Sequence, residues 1–350
     1  MQLNYTATLQ YLLGLQYRGI KIGLNNIRAL LDALHHPEQA FPTIHIAGTN
    51  GKGSTAAMIA SVLTAAGYKT GLYTSPHLVR FNERIRIDGK AIDDEQVVGY
   101  TKRVKASIER TKATFFEATT AIAFQHFAEN NVDIAVVETG LGGRWDATNV
   151  VTPLVSIITP IAFDHMEFLG STLSLIAAEK GGIMKSGVPC ITGVDDRRAL
   201  EKLSRMAESR GVSLRHVADE SSVSVHERSL DGSLVSVTTR HTNVARMFLS
   251  LAGDHQIRNL QLVILALEYL DRHKGFRIRR SLRRGLGSVR HFTGFRGRFE
   301  LLSRTPMIFG DAAHNVSGIQ SLTALHNSLM IGKSVIVIGV MKDKEYGRMF

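Results

Sequence analysis

Cysteine is almost missing from this chain: Cys190 is the only one in 350 residues. An intrachain disulfide and a thiolate metal centre are thereby excluded. VPCIT around Cys190 reads as a buried strand in a protein of a reducing, cytoplasmic compartment. Long apolar runs are also missing. Nothing approaches the roughly 18 to 20 apolar residues of a membrane span. MQLNYTATLQYLLGLQYRG lacks the basic start and apolar stretch of a cleaved leader, so a soluble chain with no membrane partner is expected. Acidic residues are in deficit, 31 against 42 Lys and Arg, for a net charge of +11. Much of the excess lies in RIRRSLRRGLGSVRHFTGFRGR, Arg277 to Arg298. Such a stripe can bind nucleic acid. However, Ile278, Leu282, Leu286 and Val289 recur at helical spacing, and no aromatic series is interleaved for base stacking. An amphipathic helix with a solvated basic face is the favoured reading, and no nucleic-acid partner is expected. The charge also suits an anionic small substrate.

What is present is an alternation of short apolar runs and helical patterns. TIHIAG leads into STAAMIASVLTAAG. KTGLYT follows, then helices near Glu95 to Thr111 and Glu117 to Asn130, then VDIAVVETG, PLVSIITPI, TLSLIAAEKGGIMK and VPCITG. Strands this apolar, separated by helices, predict an α/β fold with a mostly parallel sheet covered on both faces. Ligands of such sheets gather beyond the strands' carboxyl ends. SVSVHERSLDGSLVSVTTR alternates with period two around Asp231-Gly232 and predicts a hairpin. A long helix, roughly Gln256 to Arg272, and the basic helix lead to a boundary near Gly294. Beyond it RFELLS, PMIFGDAAHN, a helix over Ser317 to Leu329 and SVIVIGV begin a second alternation. Domains are expected at 1–293 and 294–350. The second has two or three strands where an open sheet usually has about four to six, so it is expected to be incomplete in this sequence.

AGTNGKGST, Ala47 to Thr55, departs from the common phosphate loop: Ile46 stands in place of the first glycine, and Gly53 separates Lys52 from Ser54. It still has a strand before it, glycines that admit close approach, and a helix expected from Ser54, whose N-terminus favours anions. Lys52 can reach terminal phosphates, and Ser54 or Thr55 an accompanying magnesium. Three other strand ends present polar groups to the same rim: Ser75 and His77 in TSPH, Glu138 in ETGLGGRWDATN, and Asp164 and His165 in ITPIAFDH. Oxygen ligands with one imidazole suit magnesium or manganese better than zinc. A carboxylate directly after an apolar strand, as at Glu138, is expensive without a cation. Taken alone, Lys180 in AAEKGGIMK reads as an ordinary surface lysine.

In order and spacing, GTNGKGS, TSPHL with FNERI, ETGLGGRWDATN, DHMEFLG with EKGGIMK, GDHQIRN, GRFE, DAAHN and GVMKDKEY resemble the folylpolyglutamate synthase/dihydrofolate synthase family of the Mur ligase superfamily, over nearly the whole chain. The resemblance implies a P-loop-containing, Mur-ligase-like central domain and a smaller Rossmann-like α/β C-terminal domain. The implied reaction is ATP-dependent: a substrate carboxylate is phosphorylated and the acyl phosphate is attacked by the amine of L-glutamate. It further implies that Thr49, Asn50, Gly51, Lys52, Gly53 and Ser54 hold the ATP phosphates, and that Asn259, Arg298, Asp311 and His314 also contact ATP. Ser75, Glu138 and His165 match magnesium ligands, with two ions expected, and Lys180 matches a carbamylated lysine. Lys52, Lys180 and His165 are thus the implied catalytic residues. Leu24, Thr114, Phe115, Phe116, Glu117, Trp145, Asp146 and Ala147 match the segments lining the dihydropteroate or folate pocket. Phe116 or Trp145 can stack on a flat bicyclic ring, and Glu117 or Asp146 can bond its nitrogens; packing accounts equally well for Phe115 and Phe116.

Departures from the family pattern are Trp145 for leucine, Ser186 and Arg296 for prolines, Ala312 for glycine and Val316 for proline; none removes a charged catalytic group. A monomer acting on small molecules is expected. The rival readings are a cell-wall Mur ligase, a truncated relative that only binds ATP, and a nucleotide-dependent nucleic-acid-binding protein.

Overall fold

Eight strands, five of them the short apolar runs and three not expected from the sequence, pair into one sheet in a computed structural model of the chain, which describes residues 4–329, 334–340 and 347. Its strands are β1 (Thr43–Ala47), β2 (Thr70–Tyr73), β3 (Ile85–Ile87), β4 (Lys90–Ala91), β5 (Ile134–Glu138), β6 (Val155–Ile158), β7 (Cys190–Thr192) and β8 (Leu214–His216). They lie in the order β4-β3-β2-β5-β1-β6-β7-β8, parallel except for β3 and β4. Strand β1 is central, with β5 on one side and β6 on the other. The order therefore switches direction at β1, which opens a crevice beyond its carboxyl end.

Burial on both faces explains the unbroken apolar runs. In β5, Ile134 and Val136 join the cluster formed with helices Lys52–Ala65 and Asp254–His273, whereas Ala135 and Val137 join the opposite cluster with helices Asp94–Thr111 and Phe115–Glu129. Alternate side chains of one strand thus serve two cores. The helix Lys52–Ala65 is sealed from Gly53 to Leu63. It begins two residues before the expected Ser54, because Gly51 already serves as its N-cap.

A separate antiparallel meander holds β9 (Ser221–Ser229), β10 (Gly232–Thr239) and β11 (Asn243–Leu249). Its first turn is Leu230-Asp231, one residue earlier than expected, since Gly232 already pairs with Ser229. The basic segment departs more. Ile278, Leu282, Leu286 and Val289 are buried as their spacing predicts, yet the helix breaks into short pieces at Arg279–Ser281, Leu282–Leu286 and Val289–Thr293. Ser61 Oγ donates to the Gly285 carbonyl at 2.6 Å, and a Cβ at Gly285 would lie 2.6 Å from Val62 Cα. Close docking onto the Lys52–Ala65 helix takes precedence over a continuous helix.

After Gly294 the chain forms the hairpin β12 (Glu300–Arg304) and β13 (Met307–Gly310), then the helix Val316–Leu329. Residues 334–340, expected as a strand, carry no strand assignment, and Val335 and Val337 are exposed. A strand exists only through its ladder partner, and among the described residues none pairs there. Most of the GVMKDKEY motif, 341–346, lies outside the described residues.

Candidate active site

The loop after β1 is shaped by glycines with no room for a side chain. At Gly48, φ is +150° and a Cβ would lie 1.7 Å from Thr159 Oγ1; at Gly51, φ is +89° and a Cβ would lie 2.3 Å from Asn259 Oδ1. Gly51 caps the helix Lys52–Ala65 without a side-chain hydrogen bond, which leaves first-turn N–H groups and the positive end of the helix to an anion. Lys52 Nζ donates to the loop's own Gly48 and Thr49 carbonyls at 3.2 and 3.1 Å. Thr49 Oγ1 both donates to the Ala162 carbonyl and accepts from its N–H, at 3.1 Å each. The loop is thereby tied to the segment that carries Asp164 and His165.

One cavity of about 330 Å³ is lined by Thr49, Asn50, Gly51, Lys52, Gly53 and Ser54, by Ser75, Glu138, His165 and Lys180, and by Asn259, Arg298, Asp311 and His314. All of the expected phosphate, metal and ATP residues therefore converge on it. Glu138 is buried, and its Oε2 accepts from the Ser75 N–H at 3.1 Å. Burial pushes its carboxyl above the usual range, opposed by the charge of Lys52, the Ser75 bond, and the charges of Arg298 and Arg84. His165 lies with its Nε2 3.8 Å from Asp164 Oδ1. No group of three His, Cys, Asp or Glu side chains converges into a metal cage among the described residues. A buried carboxylate, a hydroxyl and one imidazole beside a phosphate cradle fit magnesium, which takes few protein ligands and completes its shell with phosphates and water.

Lys180 is not on the surface. It is 3% exposed, its Nζ donates to the Gly48 carbonyl at 2.6 Å, and burial followed by the charge of Lys52 drives its pKa well below the usual lysine range. Across the cavity, Asp311 accepts the Phe299 and Ala313 N–H groups at 2.7 Å each, while Arg298 Nη1 donates to the Gly297 carbonyl at 2.8 Å. His314 Nδ1 is 2.8 Å from the Ala312 carbonyl. Asn50 and Asn315 exchange amide hydrogen bonds at 3.2 and 3.0 Å, and Asn315 also donates to Asp164 at 3.0 Å. The DAAHN loop is thus fastened to the phosphate loop by side chains alone.

The expected pterin-side residues lie apart, and none lines this cavity. Asp146 is buried and fully occupied: Oδ2 accepts the Gly140 and Leu141 N–H groups at 2.8 Å each, and Oδ1 accepts the Thr148 N–H and hydroxyl at 3.0 and 2.5 Å. Thr148 Oγ1 in turn meets His45 Nε2 at 2.7 Å. Burial lowers the His45 pKa to about 3, which favours the neutral ring; because the Thr148 hydroxyl gives its hydrogen to Asp146, the ring's Nε2–H is the donor to Thr148. Glu117 completes a capping box with Thr114, and Asn26 Nδ2 approaches it at 3.4 Å. Phe115 is packed under the Arg84 guanidinium, 5.1 Å from its ring centroid. Phe116 lies against Gly140 and Tyr73. Ala147 is buried, Leu24 precedes the helix Asn25–Asp32, and Trp145, 47% exposed, offers an open aromatic face. Reasoning from sequence passed over His255, Phe295 and Arg86, which line the cavity. His255 was signalled by GDHQIRN, where only Asn259 was taken; Phe295 had no chemical signal, since its part depends on a fold contact.

Residues 46–267 match the Mur ligase middle domain. The dihydrofolate synthase/folylpolyglutamate synthase of Bacillus subtilis (strain 168) is 38% identical over 340 residues, covering 95% of this chain and 78% of that protein. The folylpolyglutamate synthase of Lacticaseibacillus casei is 36% identical over 359 residues, covering 99% and 82%. Among solved structures, a folylpolyglutamate synthase complex with AMPPCP and folate superposes with a TM-score of 0.90 at 34% identity, covering 99% of this chain and 86% of that one. Escherichia coli FolC with DHPP and ADP gives 0.88 at 30%, covering 99% and 80%.

Proposed function

The chain belongs to the folylpolyglutamate synthase/dihydrofolate synthase family of the Mur ligase superfamily, and on that premise we propose an ATP-dependent ligase that joins L-glutamate to dihydropteroate, to folates, or to both. The observation that carries the reading is the single cavity holding the Lys52 phosphate loop, the buried Glu138 and Lys180, and Arg298 with Asp311 from beyond Gly294. We divide the chain at that glycine, into 1–293 and 294–350, so that the site forms between the two parts.

Carboxylate activation brings two anions together, so charge must be neutralised before the reactants can be aligned. Lys52 lies on its own loop carbonyls, and Arg298, from beyond Gly294, lines the same cavity. Ser75, Glu138 and His165 would hold magnesium, which supplies charge neutralisation and orientation of the phosphates. The transferred phosphoryl group leaves ADP and gives an acyl phosphate; the neutral amine of glutamate then forms the amide bond, and phosphate departs. No protein nucleophile is required. Exclusion of water from the acyl phosphate follows from closure of the wall that carries Arg298 and Asp311.

Lys180 fits carbamylation. Its burial favours the free amine, which is the form that attacks carbon dioxide; an N–C bond forms, the nitrogen gives up a proton, and a neutral amine is replaced by an anionic carbamate beside the phosphate loop. Trp145 is the aromatic face offered to a pterin ring. The deciding assay is phosphate release from ATP with L-glutamate and, in parallel, dihydropteroate or tetrahydrofolate. Release that requires both glutamate and a pteroyl acceptor is expected; release indifferent to both overturns the reading.

A further inference from the structure

Gly53, the residue that separates Lys52 from Ser54, is not explained by backbone conformation, since its φ is not positive. It sits in the first turn of a helix, where glycine weakens the structure. What it lacks is room. A Cβ there would lie 3.2 and 3.3 Å from the Phe295 ring and 3.4 Å from Glu138 Oε2. Phe295 in turn carries Arg298, whose guanidinium carbon is 5.0 Å from the ring centroid. The linker behind them is clamped: Glu300 accepts the Gly297 N–H and Arg296 Nε, each at 2.8 Å. A guanidinium held over a ring, with Nη1 donating to the Gly297 carbonyl at 2.8 Å, has fewer positions open to it and loses less freedom when its remaining donors meet a phosphate.

We propose that Phe295 is a positioning residue: seated on the bare backbone of Gly53, its ring is the platform that sets Arg298 against the phosphate loop. The identity of the phosphates rests on the ligase reading above; the stacking does not. Gly53 thus acquires a role separate from phosphate contact, that of a socket for a residue more than 240 positions away in the sequence.

The test uses the whole chain with magnesium and the non-hydrolysable analogue AMPPCP, measured by titration calorimetry, together with glutamate-dependent phosphate release. Phe295→Leu, which keeps bulk and loses the ring, is expected to weaken AMPPCP binding about fivefold to tenfold. Phe295→Trp is expected to restore binding, and in an Arg298→Ala background Phe295→Leu should add almost nothing. Wild-type affinity in a folded Phe295→Leu, equal losses with and without Arg298, or failure of the tryptophan to restore binding each overturn the proposal. Should Phe295→Leu fail to fold, Gly53→Ala serves in its place. The added methyl should shift the ring and weaken binding only while Arg298 is present; an equal loss without Arg298 is the overturning result. A wild type that binds AMPPCP but releases no phosphate with any pteroyl acceptor sinks the ligase reading and leaves the affinity test standing.

Discussion

Glu138 shows how a single residue can serve chemistry at the expense of stability. Its folded pKa is raised above the ordinary carboxyl value by burial. The folded state therefore binds the proton more tightly than the unfolded one, and this contribution to stability is present at low pH and lost as pH rises through the raised value. At pH 7, without metal, Glu138→Gln should raise the thermal midpoint above wild type, and the gain should shrink as pH falls and vanish below about pH 3, where the carboxyl is protonated in both states. The same variant should lose at least about 100-fold in magnesium-dependent turnover, judging from the loss of other charge-stabilising groups. Melting curves at the two pH values, with chelator present, check the first claim; a variant less stable than wild type at pH 7 refutes it. Sequence made Glu138 legible because a carboxylate following IAVV has no apolar explanation. Lys180 was illegible without the family resemblance, because one lysine among small residues gives no sign of being buried, and its depressed pKa arises from the fold. Lys180→Ala should abolish turnover, and intact-mass measurement of the native protein should show one added carbon dioxide that the variant lacks.

At the scale of elements, the loop from Gly140 to Thr148 is held by one carboxylate. Asp146 accepts three backbone N–H groups and a hydroxyl, and Thr148 passes the network on to His45 in β1. The family resemblance places Asp146 among the expected pterin contacts, where a carboxylate can bond ring nitrogens. The geometry gives its oxygens internal partners instead. Asp146→Ala leaves several buried donors unpaired at about 1–3 kcal/mol each, so a stability loss of at least about 3 kcal/mol is expected. Chemical denaturation measures it. A variant of wild-type stability with only a higher KM for the pteroyl substrate would return Asp146 to the ring. The strands β1, β2, β5, β6 and β7 were readable because burial on two faces leaves a continuous apolar run, whereas β3, β4 and β8, short and only partly buried toward the sheet's edges, carry no such run. The basic helix was misread for a related reason: periodicity reports which side chains face inward, and it does so correctly here, but it cannot report that Ser61 takes a carbonyl and Val62 takes the space at Gly285.

For the whole molecule, the informative contact is between the first phosphate-loop amide and the last loop of the site. Asn50 and Asn315 exchange two hydrogen bonds across 265 positions of sequence, and Asn315 also reaches Asp164. No local pattern announces such a pair, since each asparagine alone is an ordinary turn residue. Together they tie the wall carrying Arg298 and Asp311 to the wall carrying Lys52 before nucleotide arrives, so part of the ordering needed for a closed site is already in place. Asn315→Ala removes four hydrogen bonds without touching the phosphate loop backbone: the two with Asn50, the one to Asp164, and the one its Oδ1 accepts from the Gly318 N–H at the start of the helix Val316–Leu329. The expected result is a loss of about tenfold in AMPPCP affinity, the equivalent of one net hydrogen bond to the tie, with a modest fall in the thermal midpoint of the nucleotide-free protein from the lost cap of the helix Val316–Leu329, worth about 1 kcal/mol. Asn50→Ala should produce a similar loss, and the double substitution should cost scarcely more than either alone, because both remove the same pair. Calorimetry on the four proteins decides it: additive losses would mean that each asparagine contacts the nucleotide independently, and that the two walls are brought together by ATP rather than by each other.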